Sequence, residues 1–349
     1  MEVADSLSWR TFSLPAGQGE PQSISTIVSV SRLPNTMETW WITKGGAVEG
    51  AYWYEGGNGW QRYQLSPPGT ARGGLAAVSR KPETMEVYWA GPKGSIENAY
   101  WYAGSTWKRQ QIVPIGKAAI ASDIATVARR PDVVDIWFVG PNGGIQGAYW
   151  AEGQLGYRFY DIGGSAESFC SIVGVARHPE TLEIWWASKS GAIDGAYWYA
   201  GSSWTRYNLA PNGSSRSQFA GLACNSKDPK SLNVWWMSPA RSVEGAHWNE
   251  GVNPWTRYQI APNGVGSFHN GIAALSRNPK TEEIWFVDWE GTVMGAFWYE
   301  GMTSWKRYRM PSLYTAKPAT RIGAVSRLPN TMEIFYVGKS GALTDHYFY

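Results

Sequence analysis

An arginine, a proline two residues on and an acid four residues after that recur along this chain. The copies are Arg32-Leu33-Pro34 with Glu38, Arg80 with Glu86, Arg177 with Glu183, Arg277 with Glu283 and Arg327 with Glu333. A further copy keeps the charges as Arg129 and Asp135, and another swaps them for Lys227 and Asn233. Flanking a hairpin turn, the two charges can face each other as an ion pair that locks the turn. The same acid at the mouth of a pocket can instead accept hydrogen bonds from a ligand hydroxyl, provided that an aromatic platform stands within reach.

Two series of rings could be that platform. One follows a Gly-rich turn: Trp60, Trp107, Trp204, Trp255 and Trp305, with Tyr157 and Trp9 at equivalent places. The other lies in a Gly-Ala-Tyr-Trp-Tyr phrase: Trp53, Trp101, Trp150, Trp198, Trp248 and Trp298. The C–H face of a sugar packs on an indole while its hydroxyls need charged or amide partners. A tryptophan beside a carboxylate, with glycine opening the backbone, is therefore sugar-binding chemistry. The competing reading of every such ring is packing between structural units.

Other chemistry has little support. His178, His247, His269 and His346 fall in turns or at non-equivalent repeat positions. No HExxH, CxxC pair, GxSxG, phosphate loop or DxDxDG calcium loop occurs, so no metal or cofactor is expected. A carboxylate pair for glycoside hydrolysis stays open, since acids abound. A catalytic centre is usually unique, whereas these polar residues are repeated with small edits. Repetition of a weak site is what multivalent binding uses.

The elements that must position these residues follow from the repeat. The phrase begins at Gly50, Asn98, Gly147, Gly195, Gly245, Gly295 and Asp345, seven copies 48 to 50 residues apart. Each copy carries a small-apolar run such as Ile272-Ala273-Ala274-Leu275, a Pro turn, a second run such as Glu283-Ile284-Trp285-Phe286-Val287, a Gly turn, the aromatic phrase, and a fourth run such as Trp305-Lys306-Arg307-Tyr308. Four short strands joined by hairpin turns make one propeller blade. Stacking blades in a ring buries both faces of each sheet, which accounts for runs that are apolar without clean alternation. The last copy stops after its third strand, and Ser8 to Leu14 reads like Gly59 to Leu65. The expectation is one all-β domain over residues 1–349, a seven-bladed β-propeller of four-stranded antiparallel blades. Residues 1–15 would pair with 319–349 and close the ring, which removes the open edge.

Composition agrees: 22 Trp, 19 Tyr and 40 Gly favour strands and turns. The formal charge is +3, with Lys and Arg spread evenly rather than gathered in a stripe, which argues against nucleic acid. No run of 18 apolar residues occurs, so no membrane insertion is expected. MEVADSLSW lacks a basic and then apolar leader, so the expected location is cytoplasmic, or outside the cell by an unconventional route. Cys170 and Cys224 are expected to be free buried thiols.

The phrases M-E-x-W-W, G-x-[IV]-x-x-A-Y-W-Y-x-G and W-x-R-Y, carried along the whole chain, resemble those of the seven-bladed propeller lectins of the PLL type. That resemblance implies binding of fucosylated or O-methylated glycans, cell-surface glycoconjugates as partners, and homo-oligomers. The chain is more distantly similar to the six-bladed Aleuria-type fucose lectins, whose pocket implies an Arg in strand two, a Glu in strand three and an aromatic wall. Here those polar places hold Glu38, Glu86, Asp135, Glu183, Asn233, Glu283 and Glu333, and then Gly50, Asn98, Gly147, Gly195, Gly245, Gly295 and Asp345. The aromatic half is kept, as Trp53 with Trp60, Trp101 with Trp107, and Trp198 with Trp204. Tectonin-type propellers are a further architectural relative. The reading that results is a multivalent lectin, not an enzyme, with pockets between neighbouring blades. Copies one, two, four and six keep the acid and both tryptophans. In each, the strand-four Trp would stack on the sugar, the third-strand Trp would wall it, and Glu38, Glu86, Glu183 or Glu283 would accept its hydroxyls. The alternatives are a protein-interaction scaffold using a propeller face or the central channel, a single-site glycan-processing enzyme, and a stable repeat scaffold with few working sites.

Overall fold

The computed structural model describes residues 9–14, 19–22, 26–267, 271–311, 315–317 and 319–349, the side chain of Asn253 excepted. His269 and Ser8 lie outside the described residues. The strands form seven four-stranded antiparallel sheets, each in simple meander order. The fourth blade, for example, runs Ile172–Val175, Thr181–Ala187, Ile193–Tyr199 and Thr205–Ala210 from the axis outward. The innermost strands of consecutive blades touch all the way round, the seventh against the first, as a propeller requires. The seventh blade takes its outer strand, Trp9–Ser13, from the other end of the chain, with Trp9 opposite Phe348 and Phe12 opposite Asp345. That pairing closes the ring as expected.

The second strand of each blade is the core. In Thr84–Ala90, Val133–Val139, Thr181–Ala187, Ser231–Met237 and Thr281–Val287 all seven residues are buried, because each face is covered by a neighbouring blade. The buried apolar clusters accordingly join two blades at a time: Trp185 of the fourth packs with Leu232 and Trp236 of the fifth.

The repeated glycine of the third strand has a packing cause. A Cβ on Gly195 would lie 2.8 Å from both Trp185 and the Tyr207 ring, and one on Gly295 would lie 2.1 Å from Cζ of Tyr308. The missing side chain thus makes room for the outer-strand tyrosine, whose hydroxyl receives the indole N–H of the second-strand tryptophan: Trp40 to Tyr63 at 2.8 Å, Trp185 to Tyr207 at 2.7 Å, Trp285 to Tyr308 at 3.0 Å. The two blades that lack the glycine change its partner as well. In the second, Asn98 accepts from Gln110, which replaces the tyrosine. In the seventh, Asp345 fills the place and Phe12 stands exposed.

At the axis, Asp123 of the third blade pairs with Arg321 of the seventh at 3.1 Å. Beside them lie two small cavities, one of 20 Å³ with Arg72, Phe169 and Phe219 and one of 90 Å³ with Ser171 and Ile272. Cys170 is buried, Cys224 is partly buried, and both are free thiols whose pKa burial pushes up.

Candidate functional site

In the first four blades and the seventh, the Pro turn after the inner strand points the arginine at the next blade. Arg177 donates from Nε to Glu183 (3.0 Å), from Nη1 to the Pro229 carbonyl of the fifth blade (2.9 Å) and from Nη2 to the Tyr199 hydroxyl (3.3 Å). Its guanidinium lies 4.8 Å over the Trp248 ring. Arg80 repeats this set with Glu86, Pro131, Tyr102 and Trp150. The ion pair recurs in Arg129–Asp135, Arg277–Glu283 and Arg327–Glu333. The first blade departs from it: Arg32 reaches the Pro82 carbonyl and lies over Trp101, while Glu38 accepts from Tyr63 at 3.0 Å. Bonded both to its own blade and to the next, the arginine of the second and fourth blades is a staple between blades.

The acid is less committed. Arg177 satisfies Oε1 of Glu183, and Oε2 is buried with no hydrogen-bond partner among the described residues; Oε2 of Glu333 is in the same condition. Burial raises the pKa of Glu183, with Arg177 opposing. Burial also pushes Glu38 and Glu333 to about 7 and Asp135 to about 6, each opposed by its hydrogen-bond donor. A buried carboxylate oxygen without a partner costs about 1–3 kcal/mol or more, so a group that supplies a donor there is bound at an advantage.

Glu183 lines a cavity of 240 Å³ between the fourth and fifth blades. Its other walls are Tyr197, Tyr199 and Tyr207 of the fourth blade and Leu232, Trp248 and Trp255 of the fifth. The acid of one blade thus meets the tryptophans of the next. The same step places Arg80 over Trp150, Arg129 over Trp198 and Arg327 over Trp53. Grouping acid and rings within one copy, as Glu183 with Trp198 and Trp204, is corrected by this offset. Read across blades, Glu38 goes with Trp101 and Trp107, Glu86 with Trp150 and Tyr157, Asp135 with Trp198 and Trp204, Glu283 with Phe348 and Trp9, and Glu333 with Trp53 and Trp60.

The outer-strand rings divide their surface between packing and cavity. Trp107, Trp204, Trp255 and Trp305 each stack on the outer-strand tyrosine of the preceding blade, at centroid distances of 5.8–6.4 Å. Each also meets that blade's second-strand tryptophan edge-on. Trp9 and Trp60, 6% and 8% exposed, are spent on packing against Trp285 and Phe335. Tyr157 bonds the Tyr88 hydroxyl at 3.0 Å. Trp53, Trp101, Trp198 and Trp298 each carry a cation on one face. Tyr197, Tyr199 and Tyr207 were not singled out from sequence as site residues; the signal was their recurrence beside the third-strand Trp and in the W-x-R-Y phrase.

A second cavity, of 420 Å³, lies between the fifth and sixth blades. Lys227 and Asn233 stand there in place of arginine and acid, and Trp298 and Trp305 are kept. Glu282, which sequence reasoning passed over, lies in its wall and accepts from Asn233 at 2.7 Å. Among the described residues, no group of three or more His, Cys, Asp or Glu could hold a metal ion, and no helix is long and apolar enough to cross a membrane.

Solved structures resemble this fold. The BP39L lectin from Burkholderia pseudomallei superposes with a TM-score of 0.84 over 93% of this chain and 96% of its own, at 16% identity. What the likeness shows is the fold, a β-propeller. AofleA from Arthrobotrys oligospora gives 0.62, over 86% and 89% at 16% identity. The fucose-specific lectin from Aleuria aurantia gives 0.58, over 84% and 98% at 17% identity. No family model and no curated protein matches the chain.

Proposed function

We propose that this protein is a multivalent carbohydrate-binding lectin whose sugar sites are the cavities between adjacent blades. The observation that carries it is Glu183: a buried carboxylate oxygen without a partner, opening on a cavity walled by Trp248, Trp255 and three tyrosines. A sugar hydroxyl donates to that oxygen, the Tyr207 hydroxyl has its own proton to donate after accepting from Trp185, and the apolar sugar face meets the rings. The cavity suits one sugar ring. Leu232 and the aromatic walls favour a sugar with an apolar substituent, a 6-deoxy or O-methyl group, in line with the resemblance to PLL-type lectins and with the fucose-specific solved relative. The cavity lining carries one carboxylate, Glu183, among rings and Leu232, a composition that suits holding a sugar. Cell-surface glycoconjugates are the partners that repetition round a rigid ring serves, because several weak sites engage a clustered surface together.

The test is a glycan array read with the wild type beside a Glu183→Gln, Trp248→Ala variant of confirmed fold. Binding of a fucosylated or O-methylated family, reduced in the variant, supports the reading. A wild type that binds no glycan overturns it and returns the scaffold reading, with a propeller face as the docking surface.

A further inference from the structure

The cavity between the fifth and sixth blades departs from its relatives in a coordinated way. In the cavity between the fourth and fifth, the polar wall is Glu183 and the facing second-strand residue is Leu232. One blade on, these places hold Asn233 and Glu282. The other residues equivalent to Glu282 are Met37, Met85, Val134, Leu182 and Met332, so all six relatives of this position are apolar. The carboxylate has therefore not been lost from this cavity but moved to the opposite wall.

Its neighbours change in the same sense. Tyr197 and Tyr199 become His247 and Asn249, and the arginine staple becomes Lys227, which pairs with Asp228 at 3.1 Å. The cavity grows from 240 to 420 Å³. Glu282 is 5% exposed, and its one hydrogen bond among the described residues comes from the neutral amide of Asn233. Burial raises its pKa to about 7, opposed by Lys227 and Asn233. An acid at an otherwise apolar core position, with an amide as its hydrogen-bond partner and Lys227 as the opposing charge nearby, still costs stability that a purely structural swap has no reason to bear. A ligand that donates to it repays that cost.

Resting on the lectin reading above, we infer that the cavity between the fifth and sixth blades is a second, distinct specificity: it takes an unmodified hexopyranose with all its hydroxyls free, including the 6-hydroxymethyl group. Glu282 and Asn249 supply hydroxyl partners where the fourth-to-fifth cavity has Leu232 and Tyr199, Asn233 takes the place of Glu183, and Trp298 and Trp305 keep the aromatic wall. A methyl or deoxy carbon placed among these groups would leave them unpaired, so the sugar suited to the aromatic cavities is the wrong one here.

Titration calorimetry tests this with four methyl glycosides: the α-L-fucoside and the glucoside, galactoside and mannoside. The variants are Glu282→Leu, which installs the residue class of the other blades, and Asn233→Glu with Glu282→Leu, which rebuilds the common arrangement. The expected result is one site per chain for at least one hexoside, weakened ten- to hundredfold in Glu282→Leu by loss of a charge-assisted hydrogen bond. Fucoside binding at the remaining sites stays unchanged, and the double variant loses the hexoside. Both variants are checked by urea unfolding, and Glu282→Gln provides a milder change should leucine disturb the fold. Fucoside binding without any hexoside binding, or hexoside binding unmoved by these changes, overturns the inference and leaves the lectin reading standing. Binding of neither sugar class overturns both.

Discussion

Replacing Arg177 by methionine isolates the energetics of the blade-to-blade staple. The guanidinium, 2% exposed in its side chain, is the counter-charge of the equally buried Glu183. Methionine keeps the apolar stem and removes the charge, the donors to Pro229 and Tyr199 and the stacking on Trp248. Breaking a buried pair from one side costs about 3–5 kcal/mol, because the partner is left as an uncompensated charge. Arg177→Met with Glu183→Leu removes both charges and should cost only about 0–2 kcal/mol. The pH dependence has a definite sign. The pKa of Glu183 is already raised by burial, and loss of the arginine that opposes burial raises it further. The folded single variant then holds a proton that the unfolded chain releases above the ordinary carboxylate range. Its stability falls as pH climbs through that range, and its deficit is smallest in acid. Urea unfolding followed by tryptophan fluorescence at pH 4.5 and pH 8 reads all three quantities. A deficit under about 1 kcal/mol at pH 8, or a double variant as unstable as the single one, would refute the staple.

Four further outcomes are expected. Glu38, held at about 7 by burial, loses its stabilising proton as pH rises from about 4.5 to 7; Glu38→Gln should therefore be more stable than the wild type at pH 8, by an amount on the order of 3 kcal/mol, and no more stable at pH 4, as thermal melts would show. Gly295→Ala places a Cβ 2.1 Å from Cζ of Tyr308 and must displace that ring, breaking its bond from Trp285, at a cost of about 2–3 kcal/mol in urea unfolding. Sugar affinity of the fourth-to-fifth cavity should weaken as pH falls, beginning above the usual carboxylate range because protonated Glu183 loses acceptor capacity; calorimetry from pH 8 to pH 5 measures this. Removal of residues 1–14 takes away Trp9 and exposes the edge of Leu343–Phe348, so melting temperature should drop and size-exclusion chromatography should show association.

The fold was legible because the repeat is regular. Strand count, blade count and closure by the Trp9 strand all follow from period and turn residues, which depend on local chain chemistry. The site was legible in its residue types but not in its grouping. Glu183 and Trp198 belong to one copy, yet the cavity joins Glu183 to Trp248, because the Pro turn aims the arginine and acid at the following blade. Nothing within one repeat encodes that offset. Glycine at position 195 and its equivalents marked the start of the repeated phrase, whereas its effect is to admit Tyr207. The paired change to Asn98 with Gln110 was the readable sign of that contact. Glu282 was readable too, as a charge at a place that is apolar in every other copy, but only once the copies are compared column by column rather than by shared motif.

The most direct test of the central claim is a crystal structure of the protein soaked with the sugar that the array selects. The account predicts that sugar between the fourth and fifth blades, a hydroxyl within hydrogen-bond distance of Glu183 Oε2 and the apolar ring face against Trp248 or Trp255. Sugar bound on the outer surface or at the axis, with the inter-blade cavities unchanged, would contradict it.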